Sequence, residues 1–135
     1  MLKYIAILTA ILLTINSSSA IAGWSLLELG QDEKGAFSVS FDKASIKQSG
    51  KNKKIWILYN YGEKPVDEIV GEKYLSVKTL YEVNCKEQKF KEINSIYYTG
   101  ASGKGLIFSD RKFNLEFSDV SPSSLSEVIA KQACK

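Results

Sequence analysis

The chain has 135 residues, with 18 basic and 15 acidic side chains, a formal net charge of +3, two cysteines and no histidine. The lack of histidine excludes histidine triads, H-E-x-x-H zinc sites and imidazole bases, and so weak a charge balance does not point to nucleic acid. The length allows one domain with a modest core and leaves no room for two.

The chain opens with "MLKYIAILTAILLTINSSSAIAGW". One cation, Lys3, precedes an uncharged apolar run of about 12 residues, short of the roughly 20 that span a bilayer. Ala20-Ile21-Ala22 has the A-x-A form of a signal-peptidase site. We expect residues 1–22 to be a secretory signal peptide and 23–135 a single exported domain. That domain would have 113 residues (135 minus 22) and a net charge of +2, since only Lys3 of the charged residues lies in the leader. No cysteine follows the cleavage site, so no lipid anchor is expected there, and no second apolar run of spanning length follows.

The domain reads as a series of strands and then one helix. "WSLLELG" (24–30) is a short apolar strand ended by the turn "QDEKG". "FSVSF" alternates strictly, Phe37, Val39 and Phe41 opposing serines. "DKASIKQSGKNK" breaks the pattern, with Gly50 and Asn52 as turn residues. "KIWILYNY" (54–61) is apolar on both faces, as in a strand covered on both sides. After the loop "GEKPVDEIVGEK", "YLSVKTLYEVNC" (74–85) places Leu75, Val77, Thr79, Tyr81, Val83 and Cys85 on one face. "KFKEINSIYYTG" predicts another strand, and "GLIFS" and "KFNLEF" two more, short or broken.

The period then changes. In "SPSSLSEVIAKQACK", Leu125, Val128, Ile129 and Ala133 form one helical stripe. Pro122 suits a first-turn position, Ser124 and Glu127 form an S-x-x-E capping box, and either Ser121 or Ser124 can be the N-cap. In an exporting compartment two cysteines read as one disulfide. A Cys85–Cys134 bond would staple the terminal helix to the apolar face of the longest strand. The alternative, a free reactive Cys85, needs a thiolate-stabilising partner, and there is no histidine to supply one.

Lys47, Lys51, Lys53 and Lys54 form the strongest charge cluster. It reads either as a contact for acidic partners (sulfated glycans, anionic headgroups, an acidic protein patch) or as a solvated hairpin whose lysines discourage edge pairing. Tyr59, Tyr61, Tyr74, Tyr97 and Tyr98 with Trp56 read either as a binding patch or as core and cross-strand packing. Tyr97 and Tyr98 are adjacent in a strand and should face opposite sides. "GASGKG" (100–105) fails the phosphate-loop pattern, because Gly105 follows Lys104, and is expected to be a flexible loop. For catalysis only a Ser–Lys pair or two carboxylates remain. Asp42, Asp110 and Asp119 are spread out, and Ser45 and Lys47 are only two apart. No enzyme, cofactor or metal is expected.

Taken in order, "FSVSFDKASI", "KIWILYNY", "YLSVKTLYEVNC", "YYTGASGKGLIF" and "VSPSSLSEVIAKQAC" resemble the surface-adhesin protein E-like family of Gram-negative bacteria, from about Phe37 to Cys134. The resemblance implies an α+β fold, one antiparallel sheet of about six strands with a C-terminal helix tied to it by a disulfide. It implies an adhesin that binds host matrix or serum proteins and can form a homodimer. The family is strongly basic just before the tyrosine that opens the long strand. Here that stretch is "EKYLS", a departure in which Glu72 stands beside Lys73, and Lys73 is the one candidate ligand-binding lysine there. The expected function is non-enzymatic binding of an extracellular protein or acidic glycan. The alternative is a soluble periplasmic structural or stress protein without a host ligand.

Overall fold

The structure is a computed structural model, and it describes residues 23–33, 35–63, 65, 71 and 73–135. The expected signal peptide lies outside the described residues. Eight strands form one sheet: β1 (Trp24–Asp32), β2 (Gly35–Asp42), β3 (Lys47–Ser49), β4 (Asn52–Tyr61), β5 (Ser76–Asn84), β6 (Lys89–Tyr98), β7 (Ile107–Lys112) and β8 (Ser118–Asp119). One helix, α1 (Leu125–Ala133), ends the chain. Six strands run in the order β1-β2-β4-β5-β6-β7, with β3 paired to β4 and β8 to β6, all antiparallel. The expected α+β fold is present, the two additional strands being short pieces at the margins.

The core follows the alternation of three strands. Val39 and Phe41 on β2, Ile55 and Ile57 on β4, and Tyr81 and Val83 on β5 share the face on which Ile129, Ala130 and Ala133 of α1 pack. Burying this apolar surface supplies the main driving force for the fold. Ala130, rather than the expected Val128, completes the buried stripe of the helix. Two small residues under the helix let its backbone approach the sheet closely. Gly30 pairs with Phe37 across the β1–β2 ladder, and a Cβ there would lie 2.2 Å from the Phe37 ring. The missing side chain therefore lets that ring lie across β1 and reach the core.

Among the described residues the ladders shift register three times, between Tyr97 and Tyr98 of β6 against β7 and at two other points. One lies between Leu26 and Glu28 of β1, where Leu27 turns onto the core. The other leaves Ile93 of β6 unpaired, because Leu80 opposes Asn94 while Tyr81 opposes Glu92. Such bulges add twist and re-aim side chains.

Four expectations are corrected. "DKASIKQSGKNK" holds a 3-10 turn (Lys43–Ser45) and the short strand β3 as well as a turn. "KFNLEF" leaves the sheet after Lys112. Phe113 N–H still donates to the Ile93 carbonyl at 2.9 Å, but no ladder follows until β8. Pro122 precedes the helix in a turn, and Ser124 is the N-cap, its hydroxyl accepting from Glu127 N–H. Glu127 returns the bond one residue early, accepting from Ser123 N–H at 3.2 Å. Lys131 first, and then Ser123, hold the Glu127 carboxyl below its ordinary value.

The fourth correction is the glycine-rich loop, which is pinned to the sheet. Ser102 N–H donates to Asn60 Oδ1 at 2.5 Å, Gly103 N–H to Ser76 Oγ at 2.9 Å, and Ser76 Oγ to the Gly100 carbonyl at 2.6 Å. Ser76 is fully buried, so these bonds are needed to satisfy its hydroxyl.

Cys85 and Cys134 are disulfide-bonded, 49 residues apart in sequence, and Cys134 is the C-cap of α1. The expected staple is therefore present, and it closes a loop whose loss of unfolded-state entropy stabilises the fold by about 4 kcal/mol on the chain-entropy account. Cys134→Ala is expected to cost about 2–5 kcal/mol. Denaturant unfolding of oxidised wild type and variant checks this; equal midpoints would remove the staple from the account.

Candidate binding surfaces

The lysine cluster is contiguous in sequence and divided in space. Lys47 and Lys54 oppose each other across the β3–β4 hairpin, and both line an open cleft of 430 Å³ with Asp42, Ser45, Trp56 and Leu80. This cleft lies on the sheet face away from α1. Lys53 is half a pleat out of step, on the helix side, and Lys51 is exposed at the turn. Lys73 is exposed beside Tyr74, whose ring packs on Tyr61 at the other end of β4. The hairpin thus brings together only Lys47 and Lys54 of the five lysines singled out in the sequence. Glu82, opposite Lys54, is 3.8 Å from Lys91 and accepts from Ser49 Oγ at 3.4 Å.

The tyrosines separate by face as their parity requires. On the helix side, beyond the helix itself, the rings of Tyr61 and Tyr74 meet edge to face at 5.9 Å, and those of Tyr74 and Tyr97 at 4.9 Å. Arg111 lies over Tyr97 at 4.9 Å. An open cleft of 460 Å³ runs beside this row, lined by Asp32, Glu33, Tyr61, Pro65 and Tyr74. Deeper in, the hydroxyls of Tyr59 and Tyr81 share a hydrogen bond of 2.5 Å. Burial pushes Tyr59 up to about 12, partly offset by its bond to Tyr81. Tyr81 and Tyr61 are raised further, again chiefly by burial. Burial also raises the half-buried Glu92 carboxyl. Most of these rings are packing elements, and Tyr61 and Tyr74 also line a cleft.

Tyr98 lies on the opposite face, and there the structure adds residues that were not singled out in the sequence. Lys78 Nζ sits 5.5 Å from the Trp24 ring centre and 5.2 Å from that of Tyr98. With Trp56, Asp42 and Ile96 these residues line a cleft of 260 Å³. The pinned loop holds the lysine stem. A Cβ at Gly103 would lie 2.4 Å from Lys78 Cε, so the stem packs in the space the glycine leaves. The alternation of "SVKTLYEV" places Lys78 on the non-core face, but nothing local to it marks the aromatic neighbours, which come from β1, β4 and β6.

Two of the groups weighed for catalysis, Ser45 and Asp42, make structural hydrogen bonds. Ser45 Oγ donates to the Asp42 carbonyl at 2.6 Å and accepts from Trp56 N–H at 3.0 Å. Asp42 Oδ1 caps the 3-10 turn through Ala44 N–H. Among the described residues no three of His, Cys, Asp and Glu lie together in a way that could hold a metal ion, and no helix is long and apolar enough to cross a membrane.

The fold is a single antiparallel sheet with a disulfide-stapled terminal helix. The sequence profile of surface-adhesin protein E matches residues 24–135, and the chain belongs to that family. Haemophilus influenzae protein E in crystal form II superimposes with a TM-score of 0.63 at 16% identity, covering 84% of this chain and 87% of that one. A further Haemophilus influenzae protein E structure gives 0.62 at 16%, covering 84% of each chain. Protein E from non-typeable Haemophilus influenzae gives 0.59 at 16%, covering 82% of this chain and 74% of that one. At these identities the likeness is one of fold. A comparison with curated proteins finds no match.

The raised tyrosines make stability depend on pH at the alkaline end. Each holds its proton more tightly folded than unfolded. The corresponding stability is therefore complete below the ordinary value of about 10, and is lost as pH rises through the folded values. The unfolding midpoint is expected to be insensitive to these groups up to about pH 10 and to fall above it. Phenolate absorbance should show Tyr59, Tyr61 and Tyr81 ionising late and together with unfolding. Full ionisation of every tyrosine near pH 10 in a still-folded chain would contradict the buried hydroxyl pair.

Proposed function

We propose that the protein is a non-enzymatic, exported adhesin that works at the cell surface by binding host or matrix proteins or glycans through exposed side chains. Membership of the surface-adhesin protein E family over residues 24–135 carries this reading. A leader-like N-terminus and a structural disulfide support export, since disulfides persist in oxidising compartments. The lysines at the β3–β4 hairpin, Lys47, Lys51, Lys53 and Lys54, are the first candidates for contact with acidic partners, and Lys73 offers a second point at the far end of β4.

Solid-phase binding of the mature chain to matrix proteins is expected to saturate. It should weaken as salt rises, because exposed charges beyond a Debye length of about 8 Å at physiological ionic strength are largely screened. Protease treatment of intact cells should remove the protein while a periplasmic control survives. Protection until the outer membrane is opened, together with unchanged adhesion of a knockout, would contradict the proposal and leave a periplasmic structural or stress protein.

A further inference from the structure

We propose that the sheet face opposite the helix is a site for an acidic glycan, a sugar polymer carrying sulfate or carboxylate groups. It would be seated on the half-buried rings of Trp24 and Trp56, with Tyr98 buried beneath, and gripped by Lys47, Lys54 and Lys78. The inference deepens the adhesin reading by naming a ligand class and a place, and it rests on that reading.

The two clefts on this face, of 430 Å³ and 260 Å³, adjoin at Asp42 and Trp56, which line both, and together make up the proposed trough. Three ammonium groups border it against one carboxylate, and Asp42 Oδ1 already accepts from Ala44 N–H. The charge left over is positive, in a protein whose overall balance is nearly neutral. Low-dielectric walls around a cluster of one sign focus its field on the trough.

Aromatic rings give this surface a second property. Trp24 and Tyr98 flank Lys78 Nζ across the intervening strands, and Trp56 joins the two halves of the trough. Large, stiff rings with a polar edge are the side chains most often used as binding anchors. Alternating flat apolar faces and fixed cations suit a polymer that alternates ring faces with ionised groups. Lys78 is preorganised, packed over Gly103 and held between two rings, so little side-chain freedom is lost when it engages an anion.

The position on the sheet argues against a peptide ligand. Extended peptides add to exposed sheet edges, where backbone groups are unpaired. This trough crosses β4 and β5, each paired on both sides, so only side chains can recognise the ligand.

The protein contains two tryptophans, and both line the trough. Intrinsic emission therefore reads the site directly. The mature, disulfide-bonded chain is titrated with a heparin oligosaccharide of defined length, with neutral dextran as the control. A saturable change in emission with heparin alone, weakening as salt rises, is the expected result. The double variant Lys47→Gln/Lys54→Gln should bind about two- to fivefold more weakly per lysine removed. Lys86→Gln/Lys135→Gln, which removes two exposed lysines outside the trough, should leave the response unchanged. An unaltered emission spectrum throughout the heparin titration of folded protein would overturn the proposal. So would equal losses in the two double variants, or a response to phosphatidylglycerol vesicles alone, which would indicate a membrane surface. If heparin binding fails while matrix-protein binding persists, the trough assignment falls and the adhesin reading stands. If the trough binds heparin while a knockout adheres normally, the reverse holds.

Discussion

The Cys85–Cys134 bond holds the helix on the face of the sheet that the alternation of β2, β4 and β5 makes apolar. A helix of nine residues is too short to be stable alone, and it offers the sheet only Ile129, Ala130 and Ala133 as fully buried contacts. Fixing its last turn to the end of β5 turns a weak, fray-prone docking into a permanent one. The Ser124 cap and the Glu127–Lys131 pair complete the helix at its start and along its exposed side.

Everything else divides around that staple. On the helix side the apolar rows of β2, β4 and β5 are covered, and the tyrosines of β4, β5 and β6 extend the packing past the end of the helix. The Tyr59–Tyr81 hydroxyl pair shows how far that side is closed to water, because each group finds its partner in the other. Among the described residues the opposite face carries no α-helix. Its cover is the loop 100–105, held by Asn60 and Ser76. What remains there, half-buried, is the row of Trp24, Trp56, Lys54 and Lys78.

The elements that depend on local pattern were legible in the sequence. The strict alternation of "FSVSF" and "YLSVKTLYEVNC" predicts both strands and the side on which Cys85 lies, and the change of period at Leu125 predicts the helix. Features that depend on distant partners were not. The bulge at Ile93 exists only relative to β5. "KFNLEF" alternates locally, yet beyond Phe113 it has no strand to pair with until β8. The loop 100–105 looks free because its anchors are 42 and 27 residues away along the chain. At the candidate site, proximity in sequence misled. Lys53 and Lys54 are neighbours that a strand must point to opposite faces, whereas Lys78, a lone charge in an alternating run, gains its significance from rings on three other strands.

The two faces are held independently, the helix by the disulfide and the loop by Asn60 and Ser76. Amide hydrogen exchange on the oxidised and the reduced chain tests this independence most directly, because exchange reports the opening of each segment separately. Reduction is predicted to remove most of the protection of residues 125–134 while leaving β4, β5 and the amides of Ser102 and Gly103 protected. Unchanged protection of the helix after reduction, or loss of the loop together with it, would contradict the account.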